Sequence, residues 1–359
     1  MTGVRPGPLG LIAGLVVLAV AAAVQVEDAS PRPADALESQ PERVMSTSCR
    51  LMAVPPAATD DAVTPSPAHA LQAAEARLRE VESQMSGFIE ASPLSRFNRA
   101  EAGALTPLPA SLLEVLAASR ALHESTDGTF DVTCGPLLDL WRAAARRGAL
   151  PEPQAIDAAR AASSWDGIRL TPDGALKLRE GVRIDLGGVA KGFGIDRALA
   201  AIQEAGMAGG LVDVGGDLRV FGRPPRGPKW EVQVQDPAGP GTIATLSLAS
   251  GAVCTSGSYQ RHVQIQGRSY SHIIDPRTGR PAEGVASATV IAPDAQTADG
   301  WATALSVLGR AGLPRLPAGV EALLLIGPAE SPQAVATPGL TAYLQAGPPY
   351  PLEVQQRPD

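Results

Sequence analysis

A glycine pair followed by a lysine is the first stretch of this 359-residue chain that could bind a ligand. Gly187 and Gly188 follow an apolar run that predicts a strand, and helical spacing begins directly after them. Such a junction lets a ligand approach the backbone closely and leaves the first helical N–H groups free for an anion. Asp185 and Lys191 flank the turn, and their opposite charges suit a ligand with amide and phosphate groups. The stretch predicts a phosphate site, although a plain helix-start turn would also explain the glycines.

The spacing around the glycine pair excludes two common nucleotide-binding motifs. A P-loop requires Gly-Lys followed by Ser or Thr, whereas Lys191 here precedes Gly192, and Phe193 comes next. The dinucleotide-binding fingerprint would require a third glycine at the position of Arg197. A phosphate ligand would therefore be bound by a turn of a different kind.

Asp299 and Thr303 form a second candidate site. They are four residues apart in a segment, 295–308, whose apolar spacing is helical, so both side chains leave the same helix face one turn apart. A carboxylate and a hydroxyl are hard oxygen ligands of the kind that Mg²⁺ prefers. Most pairs with this spacing are instead a solvated Asp beside a Thr that bonds back to a backbone carbonyl. Spacing alone leaves both interpretations open.

The elements that must position these residues predict an α+β fold with mixed sheets and packed helices. Helical spacing occurs at residues 69–88, 108–125, 151–162 and 189–204, and period-two strands are predicted at 230–235, 243–248 and 262–266. Two further strands should meet at the turn Gly215-Gly216-Asp217, the first strand should begin near Arg43, and residues 92–100 predict a polar turn. Helices and strands are intermixed, which favours α+β over a regular βαβ series.

The N-terminal segment predicts export. Residues 9–26 are apolar, Arg5 precedes them, and Glu27 and Asp28 follow, which is the pattern of a signal peptide and is also just long enough for a tilted membrane span. We expect residues 1–26 to be a signal peptide or membrane anchor, 27–42 a Pro-rich tether, and 43–350 a single catalytic domain. Either role of the leader places that domain outside the cytoplasm, on the periplasmic side of the inner membrane.

Composition excludes several other classes of function. The net charge of −7, without a basic patch, argues against nucleic-acid binding. Cys49, Cys134 and Cys254 include no C-x-x-C pair, which excludes a zinc knuckle or a thioredoxin motif. The chain also lacks the signatures of a Ser-His-Asp or Cys-His nucleophile. The sequence therefore indicates no nucleophile of these two kinds within the chain.

The motifs taken together resemble the ApbE family of FAD:protein FMN transferases. Residues 185–198 (DLGGVAKGFGIDRA) resemble one family signature, residues 255–281 a second and residues 288–309 a third. Residues 95–98 and 128–141 match further motifs in the same order, and Gly215-Gly216-Asp217 resembles the family's turn near the nucleotide. The resemblance implies Mg²⁺-dependent transfer of FMN from FAD to a Thr or Ser hydroxyl of an extracytoplasmic partner flavoprotein, with release of AMP.

The resemblance also implies roles for individual residues. The implied Mg²⁺ ligands are Asp299, Thr303 and the backbone carbonyl of Gly188, and the implied catalytic residues are Asp299 and His272, the latter near the FAD diphosphate as a candidate general base. The implied flavin and FAD contacts are Met45, Phe88, Thr129, Phe130, Asp131, Asp185, Lys191, His272 and Ile273.

Some of these positions also have plainer explanations. On spacing alone, Phe88 could equally be a core residue that ends an amphipathic helix, and a lone His such as His272 is more often structural. Where the family usually has Met-Gly-Thr, this chain has Met45-Ser46-Thr47, a replacement that bears on the local backbone geometry.

Two alternative functions remain open. One is a Mg²⁺-dependent FAD diphosphatase, in which water replaces the acceptor hydroxyl. The other is a flavin-binding or carrier protein without turnover. The presence of both Asp299 and Thr303 favours an enzyme over a carrier, because simple binding does not need a metal at the diphosphate. Release of AMP from FAD, with and without an acceptor, separates the three functions.

Overall fold

The computed structural model of the chain describes residues 36–57, 65–257 and 262–356. The predicted leader, residues 1–26, and residues 27–35 of the predicted tether lie outside these ranges. Within them, no helix has both the length and the apolar character that a membrane span requires.

A mixed nine-stranded sheet forms the centre of the described part of the chain. Its spatial order is β1 (Leu37–Ser39), β2 (Cys49–Val54), β6 (Gly209–Val214), β7 (Asp217–Gly222), β10 (Gly251–Gly257), β15 (Val285–Ala292), β16 (Glu321–Ile326), β17 (Gln333–Ala336) and β19 (Leu352–Val354). Neighbouring strands are antiparallel except β17 and β19, which run parallel.

Smaller sheets surround this centre. They are the three-stranded sheet of β8 (Trp230–Gln235), β9 (Thr242–Leu248) and β18 (Leu344–Ala346), the three-stranded sheet of β3 (Leu105–Pro107), β4 (Ile168–Thr171) and β5 (Gly174–Lys177), and the hairpins β11 (His262–Ile265) with β12 (Arg268–Ser271) and β13 (Ile274–Asp275) with β14 (Arg280–Pro281). The predicted strands at 230–235, 243–248 and 262–266 are confirmed within a residue.

Helices cover one face of the large sheet and its periphery. In the described residues they are α1 (Pro67–Met85), α2 (Pro93–Arg99), α3 (Ala110–Ser125), α4 (Gly135–Arg147), α5 (Pro153–Ala162), α6 (Ala190–Glu204) and α7 (Ala295–Leu308), with 3₁₀ turns at Trp165–Gly167, Gly309–Arg315 and Pro338–Ala342. Helices intermixed with mixed sheets confirm the predicted α+β class.

Alternation along the central strands produces two separate cores. Val212 and Val214 of β6 face the helices and pack in a cluster with side chains of α1, α6 and α7. Leu211 of β6 and Leu218 of β7 face the other way and pack under β8, β9 and β18. Each fully buried Val or Leu contributes roughly 1.5–3 kcal/mol relative to an exposed one. The strands carry apolar residues on both faces because both faces are covered.

Four local predictions were wrong. No strand leads into Gly187: β5 ends at Lys177, and only an isolated bridge between Arg183 and Cys134 comes before the turn. The tether does not extend to residue 42, because residues 37–39 form β1, which pairs with β2 and is held further by an ion pair between Glu38 and Arg50 at 3.1 Å. The first strand does not begin near Arg43: positive φ angles there and at Met45 and Ser46 form an irregular turn before β2. The stretch 92–100 contains the helix α2 (Pro93–Arg99) rather than a turn, because the Ser92 hydroxyl caps the helix by accepting the N–H of Ser95 at 2.9 Å.

Candidate active site

The contact between α6 and α7 fixes the position of Asp299. Asp299 Oδ2 accepts the backbone N–H of Gly192 at 3.1 Å. A Cβ atom on Gly192 would lie only 2.2 Å from the carbonyl oxygen of Ala295, so only glycine permits this close approach of the two helices. The apolar faces of α6 and α7 therefore pack together. Gly192 lets the Asp299 carboxylate of α7 reach a backbone N–H of α6.

A second carboxylate ties the start of α7 to α6. Asp196 accepts the N–H groups of Ala295 at 2.8 Å and of Gln296 at 2.9 Å, and Arg219 of β7 donates to it at 2.8 Å. Burial raises the pKa of Asp196, while these hydrogen bonds and Arg219 oppose the rise. The first N–H groups of α7, which have no partner within the helix, are satisfied in this way. Asp196 thereby fixes the helix that carries Asp299 and Thr303.

The glycine turn lies directly against Thr303. A Cβ on Gly188 would meet Thr303 Oγ1 at 3.0 Å and the Phe130 ring at 3.4 Å. Thr303 Oγ1 also lies 3.5 Å from the Ser256 hydroxyl at the end of β10. The turn itself is locked by Asp185, whose Oδ1 accepts the N–H of Gly187 at 2.9 Å. The structure thus brings Gly188, Thr303 and Phe130 together.

This arrangement fits a magnesium ion. Asp299 is 3% exposed, and burial raises its pKa, opposed by the ammonium of Lys191 and the Gly192 N–H. A buried carboxylate is costly unless a cation or donors compensate it. In the ranges that the structure covers, no three His, Cys, Asp or Glu side chains cluster as metal ligands. A metal bound by Asp299 would therefore need other oxygen donors, such as the Thr303 hydroxyl and a backbone oxygen of the turn. These are hard oxygen donors.

Lys191 and Asp185 have different partners within the protein. The Lys191 ammonium forms an ion pair with Asp217 at the start of β7. Asp185 Oδ2 instead pairs with Arg142 of α4 at 3.2 Å. Their implied roles as FAD contacts stay predictions, and the structure shows that each is already positioned by a partner from a distant part of the chain.

The predicted flavin tripeptide is rigid and buried. The Thr129 hydroxyl donates to the carbonyl of Thr126 at 2.8 Å, and Asp131 Oδ1 accepts the N–H of Thr133 at 2.7 Å. His123 Nδ1 lies 3.1 Å from the Phe130 carbonyl oxygen and 3.4 Å from Asp131 Oδ2. Burial raises the pKa of Asp131, against the effects of Thr133 and His123. This network holds Phe130 against the glycine turn.

The loop that carries His272 is anchored on both sides. His272 is half-buried and Ile273 is buried between β12 and β13. The Ile273 N–H donates to the Ser271 hydroxyl at 3.1 Å, and its carbonyl accepts the N–H of Ala282 at 2.8 Å. Farther along, the Trp141 indole donates to the carbonyl of Gly279 at 2.8 Å. The roles of His272 and Ile273 toward FAD stay predictions.

Met45 and Phe88 differ in exposure. Met45 is half-buried and packs toward α6, where its sulfur lies 3.3 Å from the position of a Cβ on Gly194. Ser46 has φ +64, a conformation that glycine adopts more easily. Phe88 is 86% exposed and lies beneath Arg142, whose guanidinium carbon is 5.9 Å from the ring centroid. The alternative of a core role for Phe88 is therefore wrong, and its flavin contact stays a prediction.

Sequence reasoning did not identify Asp217, Asp196 or Arg142 as supports of the site. The Gly-Gly-Asp turn is a signal for Asp217, but nothing local indicates that its carboxylate pairs with Lys191. Asp196 lies within the first signature, one helical turn after Gly192. Arg142 had no signal beyond its position on a helix.

Comparisons with known proteins relate the chain to one family. The model of the ApbE family matches residues 45–324. The FAD:protein FMN transferases of Salmonella typhimurium and Vibrio cholerae are each 34% identical, over 63% and 65% of this chain and 67% and 71% of the relatives. The solved flavin transferase ApbE from Vibrio cholerae has a TM-score of 0.75 at 27% identity, and the ApbE protein from Thermotoga maritima 0.76 at 29%; both matches cover 87% of this chain and 100% of the solved chain.

Proposed function

The chain belongs to the ApbE family and is a transferase that moves FMN from FAD to protein, and from this premise we propose the details of its reaction. The proposed acceptor is a Thr or Ser hydroxyl of an extracytoplasmic flavoprotein, and AMP is released. The proposed Mg²⁺ ligands are the Asp299 carboxylate, the Thr303 hydroxyl and the Gly188 carbonyl. The junction of α6 and α7, where the buried Asp299 accepts the Gly192 N–H and Thr303 lies against Gly188, carries the proposal.

The reaction needs positioning and charge neutralisation more than covalent catalysis by the protein. The new bond joins the acceptor oxygen to the phosphorus of the FMN half, and the bond from that phosphorus to the bridging oxygen breaks, so AMP leaves with the bridging oxygen. The chemistry that Mg²⁺ supplies when bound is neutralisation of the charge on the diphosphate. The Gly187-Gly188 turn lets the phosphates approach the backbone closely.

His272 completes the proposal as the general base. The acceptor hydroxyl loses its proton as the new bond forms, and a half-buried imidazole is the side chain best suited to take that proton near neutral pH. The anchored Ser271–Ile273 segment supports this role, because a base must be held in position. Replacement of His272 by Asn should lower the rate of transfer while FAD still binds, as measured by quenching of flavin fluorescence. A variant with normal turnover would remove His272 from the mechanism.

AMP release, measured together with labelling of the acceptor, tests the proposed function. Purified protein is incubated with FAD and Mg²⁺, with and without a candidate extracytoplasmic flavoprotein, and the acceptor is inspected for flavin fluorescence on a denaturing gel. We expect AMP and a fluorescent acceptor only when all components are present. AMP without an acceptor would favour the diphosphatase, and FAD binding without AMP in either case would favour a carrier.

The proposed location rests on the leader. Arg5 before the apolar residues 9–26 predicts export or anchoring, which would place the enzyme and its acceptor in the same compartment, with contact to the membrane through the N-terminal segment. Cell fractionation should recover the protein with the membrane or the periplasm. Full-length protein found only in the cytosol would contradict this location.

A further inference from the structure

One lysine at the start of α6 lies among three acidic side chains. The Lys191 ammonium pairs with Asp217, which is 2% exposed. The other oxygen of Asp217, Oδ1, accepts the backbone N–H of Thr255 at 3.0 Å, so this carboxylate has a fixed orientation. Asp217 therefore holds the end of a flexible side chain whose stem allows other positions.

Asp299 is a second place to which this ammonium could move. The residue after Lys191 donates its N–H to Asp299, so the lysine backbone is adjacent to the carboxylate. Lys191 is also the strongest influence that lowers the pKa of Asp299 against burial. Asp299 otherwise has one hydrogen bond from the protein in the described contacts. An ammonium paired with Asp299 would neutralise the negative charge that a divalent cation needs for binding.

Asp213, the third acid, is compensated by other groups. Its Oδ1 accepts the N–H of Gly216 at 2.9 Å. The influence of Arg50 on its pKa exceeds that of Lys191. A lysine released from Asp217 would therefore gain more from Asp299 than from Asp213.

We infer that Asp217 is a positioning residue that holds the Lys191 ammonium away from Asp299 and so keeps the Asp299 carboxylate available to a divalent cation. The inference rests on the proposed metal site. It gives the ion pair of Lys191 with the buried Asp217 a role beyond stability, which is consistent with the small net stabilisation that such pairs usually provide.

Binding of Mn²⁺, measured by the electron paramagnetic resonance signal of the free ion and without turnover, tests the inference. Asp217→Asn should weaken binding about 10- to 100-fold, as is typical for groups that orient metal ligands. Lys191→Gln should bind at least as tightly as the wild type. The double variant should return to within about threefold of Lys191→Gln, because no ammonium remains to compete. Asp213→Asn, the matched control, should change binding by less than about threefold.

Two results would overturn the inference. The first is a Mn²⁺ affinity of Asp217→Asn equal to that of the wild type. The second is a Mn²⁺ affinity that is equally low in Asp217→Asn and in the double variant, which would mean that Asp217 acts only through its hydrogen bond with Thr255. If Asp217→Asn does not fold, Asp217→Glu keeps the charge but displaces it, and its weakened binding should again be restored by Lys191→Gln. If the proposed metal site itself is wrong, the result differs: Asp299→Ala would bind Mn²⁺ with the affinity of the wild type.

Discussion

The two faces of the central sheet differ in the side chains that pack against them. On the helical face, Asp196, Asp299 and Lys191 lie at the contacts of α6 with α7 and β7. The opposite face packs under β8, β9 and β18 through a cluster of buried apolar side chains such as Val232 and Leu246. The carboxylates of Asp196, Asp217 and Asp299 lie on the helical face, whereas the cluster under β8, β9 and β18 is apolar.

Backbone donors explain the difference. A buried carboxylate needs N–H groups or cations, and most strand N–H groups within a sheet are used in the ladder, that of Thr255 being left for Asp217. The first turns of helices have free N–H groups, which Asp196 and Asp299 accept at α7 and α6. The helical face can therefore bury charge, and the proposed metal site lies there, whereas the face under β8, β9 and β18 contributes stability.

The largest expected effect is on the helical face. Asp299→Ala should lower kcat/KM for FMN transfer by at least about a thousandfold, because it removes the charged ligand among the proposed three. Thr303→Ala, which keeps the carboxylate, should cost only about 10- to 100-fold. Steady-state kinetics with saturating Mg²⁺ measures both, and circular dichroism checks that the variants are folded. Normal turnover by Asp299→Ala would show that the metal site is misassigned.

The opposite face should respond in stability alone. Leu246→Ala in β9 should lower the free energy of unfolding by about 2–5 kcal/mol, since it leaves a cavity in a fully buried cluster. The turnover of the remaining folded protein should be unchanged well below the melting temperature. A urea titration combined with an activity assay measures both quantities. A loss of kcat in folded Leu246→Ala would contradict the separation of the two faces.

Gly192→Ala should affect both stability and activity. Its new Cβ would collide with the Ala295 carbonyl at 2.2 Å and push α6 from α7, at a cost of about 3 kcal/mol. Gly87→Ala is the matched control, because a Cβ there meets no atom within 4 Å. Thermal unfolding and transfer kinetics of the pair measure the difference. Equal melting temperatures would show that the two helices can separate without penalty.

The smallest expected effect is a pH dependence from the buried Asp213 of β6. Burial raises the pKa of Asp213 to about 6 from its usual 3.8, so the folded protein binds this proton more tightly than the unfolded chain does. Because of this group, the free energy of unfolding therefore increases as pH falls from above 6 toward 4. Relative to the wild type, Asp213→Asn should be more stable by about 1–3 kcal/mol near pH 7.5, and the difference should vanish near pH 4. Parallel stability profiles of the two proteins would contradict the raised pKa.

Patterns within one element were predictable from the sequence. Residues 295–308 were predicted as a helix and form α7 with these bounds, because the apolar spacing and the Asp294 cap are local signals. The glycine turn was predicted from a motif of a few residues. Its proximity to Thr303 was predicted from the family resemblance. The α4 helix was not predicted, although Pro136 near its start and Gly148 after its end are recognised helix signals.

Contacts between distant segments could not be predicted. The partner of Lys191 is Asp217 on a neighbouring strand, and that of Asp185 is Arg142 on another helix. Such pairs depend on how elements pack, which periodicity does not specify. The exposure of Phe88 depends likewise on a loop that carries it away from the core although it follows an amphipathic helix.

Mass spectrometry of the acceptor after reaction with FAD and Mg²⁺ tests the central claim most directly. If the site at the junction of α6 and α7 acts on the diphosphate, the acceptor should gain FMN through a phosphoester on a Thr or Ser, with one AMP released per flavin, and chelation of Mg²⁺ should abolish both products together. An adduct of intact FAD, a flavin attached through its ring carbon, or AMP release without an adduct would contradict the account.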